Sequence, residues 1–156
     1  MTTEIATAKE TEITHQQVQR LRDSLPVFKG RYPADEREAE AARRALGQIG
    51  AKANRAEIAE RVVKMLHHYF IANAPTEAIE AVANDWIAEL EEYPLWAIKA
   101  ACTWWVSRHN PNNARKPVPG QISARAQREA GIIIAAKHQL KMFDKYGENP
   151  PKFLVN

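Results

Sequence analysis

The chain has a single cysteine, Cys102, so it cannot close a disulfide within itself or assemble an all-cysteine metal site. That usage fits a reducing compartment. Glycine is also scarce, at six in 156 residues, and the β-branched and aromatic residues never fall into alternating runs of strand length, which argues against a sheet protein. No stretch reaches the apolar length that spans a bilayer. Residues 1 to 15 are polar and acidic and lack the basic start and apolar centre of a secretion signal. Secretion and membrane insertion are therefore not expected, and the expected location is cytoplasmic.

What is present is the composition of an ordinary folding domain: 45% hydrophobic and 26% charged residues, a balance that disordered chains do not show. The expected fold is all-α, a small bundle of about five helices. Residues 1 to 13 read as a flexible tail, 14 to 146 as one helical domain with its core in 54 to 143, and 147 to 156 as a short C-terminal tail.

Local signals place the helices. Thr14 and Gln17 match a capping box, in which each side chain satisfies a free backbone N–H, and Val18, Leu21 and Leu25 follow at helical spacing until Pro26. Pro33 can open a second helix over 34 to 48, rich in Ala, Glu and Arg. Its apolar face of Ala42, Leu46 and Ile49 is thin, so the expectation is a surface helix or one packed on a partner. Asn54 and Glu57 form another capping box before the stripe Ile58, Val62, Met65, Leu66, Tyr69, Phe70. Pro75 and Thr76 mark a turn, after which Ile79, Val82, Ala83, Trp86 and Leu90 repeat the same period. Pro94 can start a helix reaching about Arg108, with Leu95, Ile98, Ala101, Cys102 and Trp105 on one face and Trp96, Ala100 and Trp104 on the other. Aromatics on both sides mean burial all round or a partner-binding patch, with Trp96 and Trp104 as its anchors. Residues 109 to 120 read as an extended loop, and 121 to 146 as one long final helix. Along that helix Lys137, Lys141 and Lys145 recur every four residues and form a basic row, a candidate partner contact. Phe153, Leu154 and Val155 leave an apolar end that can be free, folded back or a docking peptide.

Chemistry of the catalytic kind finds little support. Among His15, His67, His68, His109 and His138 no pair stands at the spacing of a helical zinc site. Gly47-Gln48-Ile49-Gly50-Ala51-Lys52 lacks the Gly-Lys-Ser/Thr core of a phosphate loop and follows no strand. His109-Asn110 is a pair found in metal-dependent nucleases with a loop His as base, but the hairpin and further ligands are missing. The carboxylates of 35 to 40 and 89 to 92 lie on polar helical stretches, where a solvated face explains them. The expectation is a protein that is not an enzyme and needs no cofactor or metal.

Charge points to binding. Residues 1 to 96 hold 12 basic and 16 acidic residues, net −4, whereas 97 to 156 hold 10 basic residues against Glu129, Asp144 and Glu148, net +7. Such polarity suits a nucleic acid or an acidic partner at one end, and equally a solvated basic surface. Arg108, Arg115, Lys116, Arg125 and Arg128 bracket the proline loop and are the candidate nucleic-acid contacts.

Trp86-Ile87-Ala88-Glu89-Leu90, then Tyr93-Pro94, then Ile98 and Ala101 before Trp105, and finally Lys116-Pro117-Val118-Pro119-Gly120-Gln121-Ile122 form a recognisable succession. Over about residues 62 to 128 it resembles the helical domain of phage-encoded replicative-helicase loader/inhibitor proteins. There a Trp-bearing helix precedes a helix of apolar spacing and a proline-marked start of the last helix. The resemblance implies a phage or prophage DNA-replication accessory protein in a bacterial host cell. It would bind a hexameric replicative helicase as loader or regulator, help deliver it to DNA, and possess no ATPase site; taken with the charge asymmetry, the resemblance adds single-stranded DNA as an expected contact of the basic part. Helicase contact would fall after Gly120. This chain departs from the family in predicting a long helix there and in carrying about fifty extra N-terminal residues. A homo-oligomer stays open. The alternative is a small phage inhibitor or adaptor that blocks a host nucleic-acid-handling or defence complex, with the Glu-rich helix from Ala34 as its active surface.

Overall fold

A computed structural model describes residues 12 to 69 and 76 to 155, and the side chains of 76 to 80 are not described. The expectations for residues 1 to 11, for Phe70 and Pro75, and for the Ile79 side chain lie outside the described residues. Among the described residues the chain forms seven α-helices, with no strand beyond an isolated bridge between Lys52 and Pro94. They are α1 (His15–Ser24), α2 (Glu36–Ile49), α3 (Arg55–Leu66), α4 (Thr76–Leu90), α5 (Leu95–Trp105), α6 (Pro119–Glu129) and α7 (Gly131–Tyr146), with 3-10 turns at Pro26–Lys29 and Lys152–Leu154. The all-α class stands, with more helices than the five expected.

Both sequence capping boxes form. The Thr14 hydroxyl accepts the Gln17 N–H at 3.2 Å while Gln17 Oε1 accepts the Thr14 N–H at 2.8 Å, and Asn54 with Glu57 does the same at 2.9 and 3.1 Å. Each box satisfies two N–H groups that a helix start leaves without partners.

The helices pack into two apolar clusters. In one, Ile58, Val62 and Met65 of α3, Trp86 and Leu90 of α4, Ile98, Cys102 and Trp105 of α5, and Ile122 and Ala126 of α6 are buried together. In the other, Val18 of α1, Val27 and Phe28 of the first 3-10 turn and Ala39, Ala42, Ala45 and Ile49 of α2 meet Ile133, Ala136, Leu140 and Phe143 of α7. Helix α5 joins the two, because Trp96 and Ala97 belong to the α7 cluster, and Tyr93 packs against both.

Four expectations change. Helix α2 is a core helix and not a surface one: its three alanines are small enough for α7 to approach closely, so a thin apolar stripe suffices. Buried residues thus begin at Val18, well before the expected core at 54. The single helix over 121 to 146 is broken, since Ala130 (φ −77°, ψ 0°) ends α6 by donating to the Ala126 carbonyl and Gly131 opens α7. The break assigns α6 to one cluster and α7 to the other. At the N-terminus Glu12 pairs with Lys99 and Ile13 packs on the α7 cluster, so the tail expected to reach residue 13 is already docked at 12.

Candidate functional site

The turn from α5 to α6 is a built structure, and asparagines build it. Asn110 is 2% exposed; its Nδ2 donates to the Trp105 carbonyl at 2.8 Å, closing the end of α5, and its Oδ1 accepts the Asn112 N–H at 3.0 Å. The second bond is an Asx turn, the local structure asparagine favours. Asn113 Nδ2 donates to the Ser107 carbonyl at 3.0 Å, the Tyr69 hydroxyl to the Asn113 carbonyl at 2.7 Å, and the Trp105 indole N–H to the Arg115 carbonyl at 2.9 Å. Burial raises the Tyr69 phenol above its ordinary pKa, a preference for the neutral donor form that this bond uses. Pro117 is fully buried, and the Val118 N–H is held by Gln121 Oε1 at 3.0 Å as α6 starts. The extended loop expected from composition is therefore a compact, anchored turn.

Of the five cations expected around this loop, the structure leaves four facing solvent. Arg108, Arg115, Lys116 and Arg128 are exposed, and none has a carboxylate within ion-pair distance among the described residues. Arg125 differs. Its guanidinium lies 4.3 Å from the Trp104 ring centroid and is held by Glu129 at 2.9 Å, and Glu129 also meets His15 of α1 at 3.1 Å. A cation stacked on an aromatic face and paired with a carboxylate is committed to the fold; Arg125 is withdrawn from the expected nucleic-acid set.

The two tryptophans of the expected partner patch separate as well. Trp96 is 4% exposed and its indole N–H donates to the Ile49 carbonyl at 2.7 Å, capping α2 from inside. It offers no surface. Trp104 is half-buried beneath Arg125 and tilted against Trp105. Lys137, Lys141 and Lys145 are all exposed on α7, as a spacing of four on one helix requires.

The acidic helix of the alternative reading is largely engaged within the molecule. Arg43 of α2 binds Glu36 at 2.8 Å, Glu40 at 3.3 Å and Asp144 of α7 at 2.7 Å, and these carboxylates hold its guanidinium firmly protonated. Glu148 accepts the Glu36 N–H at 3.2 Å.

Chemical reactivity is muted elsewhere. Cys102 is fully buried, and burial pushes its thiol up to about 11, so it is no nucleophile at neutral pH. His67, His68, His109 and His138 are exposed. Among the described residues no three His, Cys, Asp or Glu side chains gather to hold a metal, and none of the helices is long and apolar enough to cross a membrane. A shallow open cleft lined by Glu148, Asn149, Pro150, Lys152 and Val155 lies at the C-terminal end. Sequence reasoning missed Asn110 and Pro117 as the residues that shape the turn. The signal was present in the spacing Asn110-x-Asn112-Asn113 between a helix and a proline pair. Comparison with known protein families, with curated proteins and with solved structures finds no match to this chain.

Proposed function

We propose that the chain is a helical adaptor of phage or prophage DNA replication that engages a hexameric replicative helicase in the bacterial cytoplasm and holds single-stranded DNA at its α5–α6 turn. The observation that carries the reading is that turn. Asn110, Asn113 and the Trp105 indole fix its backbone while Arg108, Arg115 and Lys116 project from it, with Arg128 two helical turns beyond on α6. Fixed backbone beneath free cations lowers the entropy lost when phosphates are bound, because only the side chains remain to be ordered. The segments that resemble the helicase loaders fall on α4, α5 and α6, and all of them contribute to one cluster, so the resemblance covers a packed unit. After Gly120, where the resemblance implies helicase contact, the solvent-facing side chains are those of α6, α7 and the segment that follows to Val155.

The test has a protein arm and a DNA arm. The purified chain is mixed with the replicative helicase of its expression host and analysed by size exclusion. Binding to oligo(dT) is followed by fluorescence anisotropy across a salt series. Four phosphates neutralised at the turn contribute about −3 to the log–log salt slope, and Arg115→Ala with Lys116→Ala should flatten it by about 1.4. No helicase complex together with no salt-dependent DNA binding would overturn the reading. A chain cut after Glu129 is a poor probe, because it strips Ile133, Ala136, Leu140 and Phe143 from the α7 cluster.

The alternative inhibitor reading draws on the acidic helix α2. Its Glu36 and Glu40 are bound to Arg43, which favours the adaptor.

A further inference from the structure

The solvent face of α7 carries three lysines, and the acids around it are bonded to other groups. Asp144, the one carboxylate on α7, is bound to Arg43 at 2.7 Å. Glu36 and Glu40 on the neighbouring α2 hold the same guanidinium at 2.8 and 3.3 Å. Glu148, just past the helix, accepts the Glu36 N–H at 3.2 Å. Glu129, just before it, is held by Arg125 and His15. Lys137, Lys141 and Lys145 are exposed and have no carboxylate within ion-pair distance among the described residues; Lys145 lies 5.1 Å over the Tyr146 ring. Three ammonium groups thus stand on one side of a helix with none of them drawn into an ion pair among the described residues.

We infer that this face is a second binding surface for single-stranded nucleic acid, separate from the α5–α6 turn and reading the phosphate backbone. The geometry is that of a strand. Residues four apart on a helix stand about 6 Å apart along its axis, close to the step between successive phosphates of an extended chain, so three lysines can follow three phosphates in line. Lysine suits such a contact, because it is a mobile point charge that asks for no particular base. Ile134 lies on the same side of the helix and is 61% exposed. An unpaired base can rest on that apolar side chain, whereas the bases of a duplex are stacked away from it. The core residues Ile133, Ala136, Leu140 and Phe143 occupy the buried side and pin α7 to α2 and the Pro26–Lys29 turn, so the row sits on a fixed helix. The sequence pattern marked these lysines as a protein contact; their freedom from ion pairs and their spacing assign them to a phosphate chain.

The inference rests on the proposed DNA contact only in sharing its ligand class, and the experiment separates the two. Oligo(dT) of about thirty nucleotides, longer than a typical single-fold binding site, is titrated with the full chain, with Lys137→Ala/Lys141→Ala/Lys145→Ala, and with Arg108→Ala/Arg115→Ala/Lys116→Ala/Arg128→Ala. All the replaced side chains are exposed, and unchanged circular dichroism checks that each variant folds. Neutralising three phosphates contributes about −2 to the salt slope, so raising salt from about 50 to 200 mM should weaken the parent about twenty-fold more than the lysine variant. That result, with a residual slope in the turn variant, supports the inference. A lysine variant with the parental slope overturns it, and the turn stands if its own variant flattens. Loss of slope in the lysine variant alone keeps the α7 surface and removes the turn. A parent that does not bind oligo(dT) overturns both. Binding of the parent to an acidic peptide in preference to oligo(dT), lost in the lysine variant, also overturns it and makes the row a protein contact.

Discussion

Replacing Asn110 with alanine should be the most damaging single change in the α5–α6 turn. The side chain is 2% exposed and makes two hydrogen bonds, to the Trp105 carbonyl at 2.8 Å and from the Asn112 N–H at 3.0 Å. A buried polar group stripped of its partner costs about 1–3 kcal/mol. Two such groups give an expected loss of about 2–4 kcal/mol, once part of the solvent access opened by the missing side chain is allowed for. For a chain of this size that corresponds to a melting temperature lower by very roughly 4–16 °C. The assay is urea unfolding followed by far-UV circular dichroism, with Asn112→Ala alongside. Asn112 is exposed and contributes only backbone groups, its N–H to Asn110 and its carbonyl to the Arg115 N–H at 3.0 Å, which alanine retains, so its loss should stay within about 0.5 kcal/mol. Because the turn carries Arg115 and Lys116, Asn110→Ala should also weaken oligo(dT) binding well below its melting point. An Asn110→Ala variant within about 0.5 kcal/mol of the parent, or one no worse than Asn112→Ala, would refute the view that this asparagine holds the turn.

Other consequences follow from the same contacts. Arg43→Ala removes the tie between α2 and α7, and should lower stability by about 1–2 kcal/mol at low salt with a smaller deficit in about 1 M salt, because the pairs are partly exposed and screened; urea midpoints at two salt concentrations measure it. Cys102 should resist a thiol reagent at neutral pH and react only as the chain unfolds, since its thiol is buried and titrates at about 11; timed colour development with and without urea distinguishes the two. Burial raises the pKa values of Tyr69 and Tyr32 above the ordinary 10.0. The folded state therefore keeps protons that the unfolded chain releases, and stability is full below pH 10 and should fall as pH rises beyond it. Tyr69→Phe removes its share of that alkaline loss, together with the bond to the Asn113 carbonyl, and urea titrations at a series of alkaline pH values follow both effects.

Much of the local structure was legible because it is written in short-range chemistry. Thr14 with Gln17 and Asn54 with Glu57 are each complete signals within four residues, and both boxes form as read. The stripes of α3 and α5 were legible because large side chains recur at the helical period; in α4 Trp86 and Leu90 are buried as read, whereas Val82, expected on the same stripe, is 46% exposed. Helix α2 was not, since Ala39, Ala42 and Ala45 look weakly apolar by size, and their value appears only when α7 lies against them. The break between α6 and α7 was hidden by a run of good helix formers on both sides of Gly131, and is decided by which cluster each half joins. Charge told where cations are but not which are free: Arg125 and Arg128 are three residues apart, yet one is committed to Trp104 and Glu129 while the other faces solvent.

The central claim is engagement of a hexameric replicative helicase, and the most direct measurement is light scattering on the chain mixed with that helicase, with and without nucleotide. A joint peak whose mass exceeds the hexamer by whole copies of this 17.6 kDa chain is expected. Separate elution of the two proteins in both nucleotide states would contradict it.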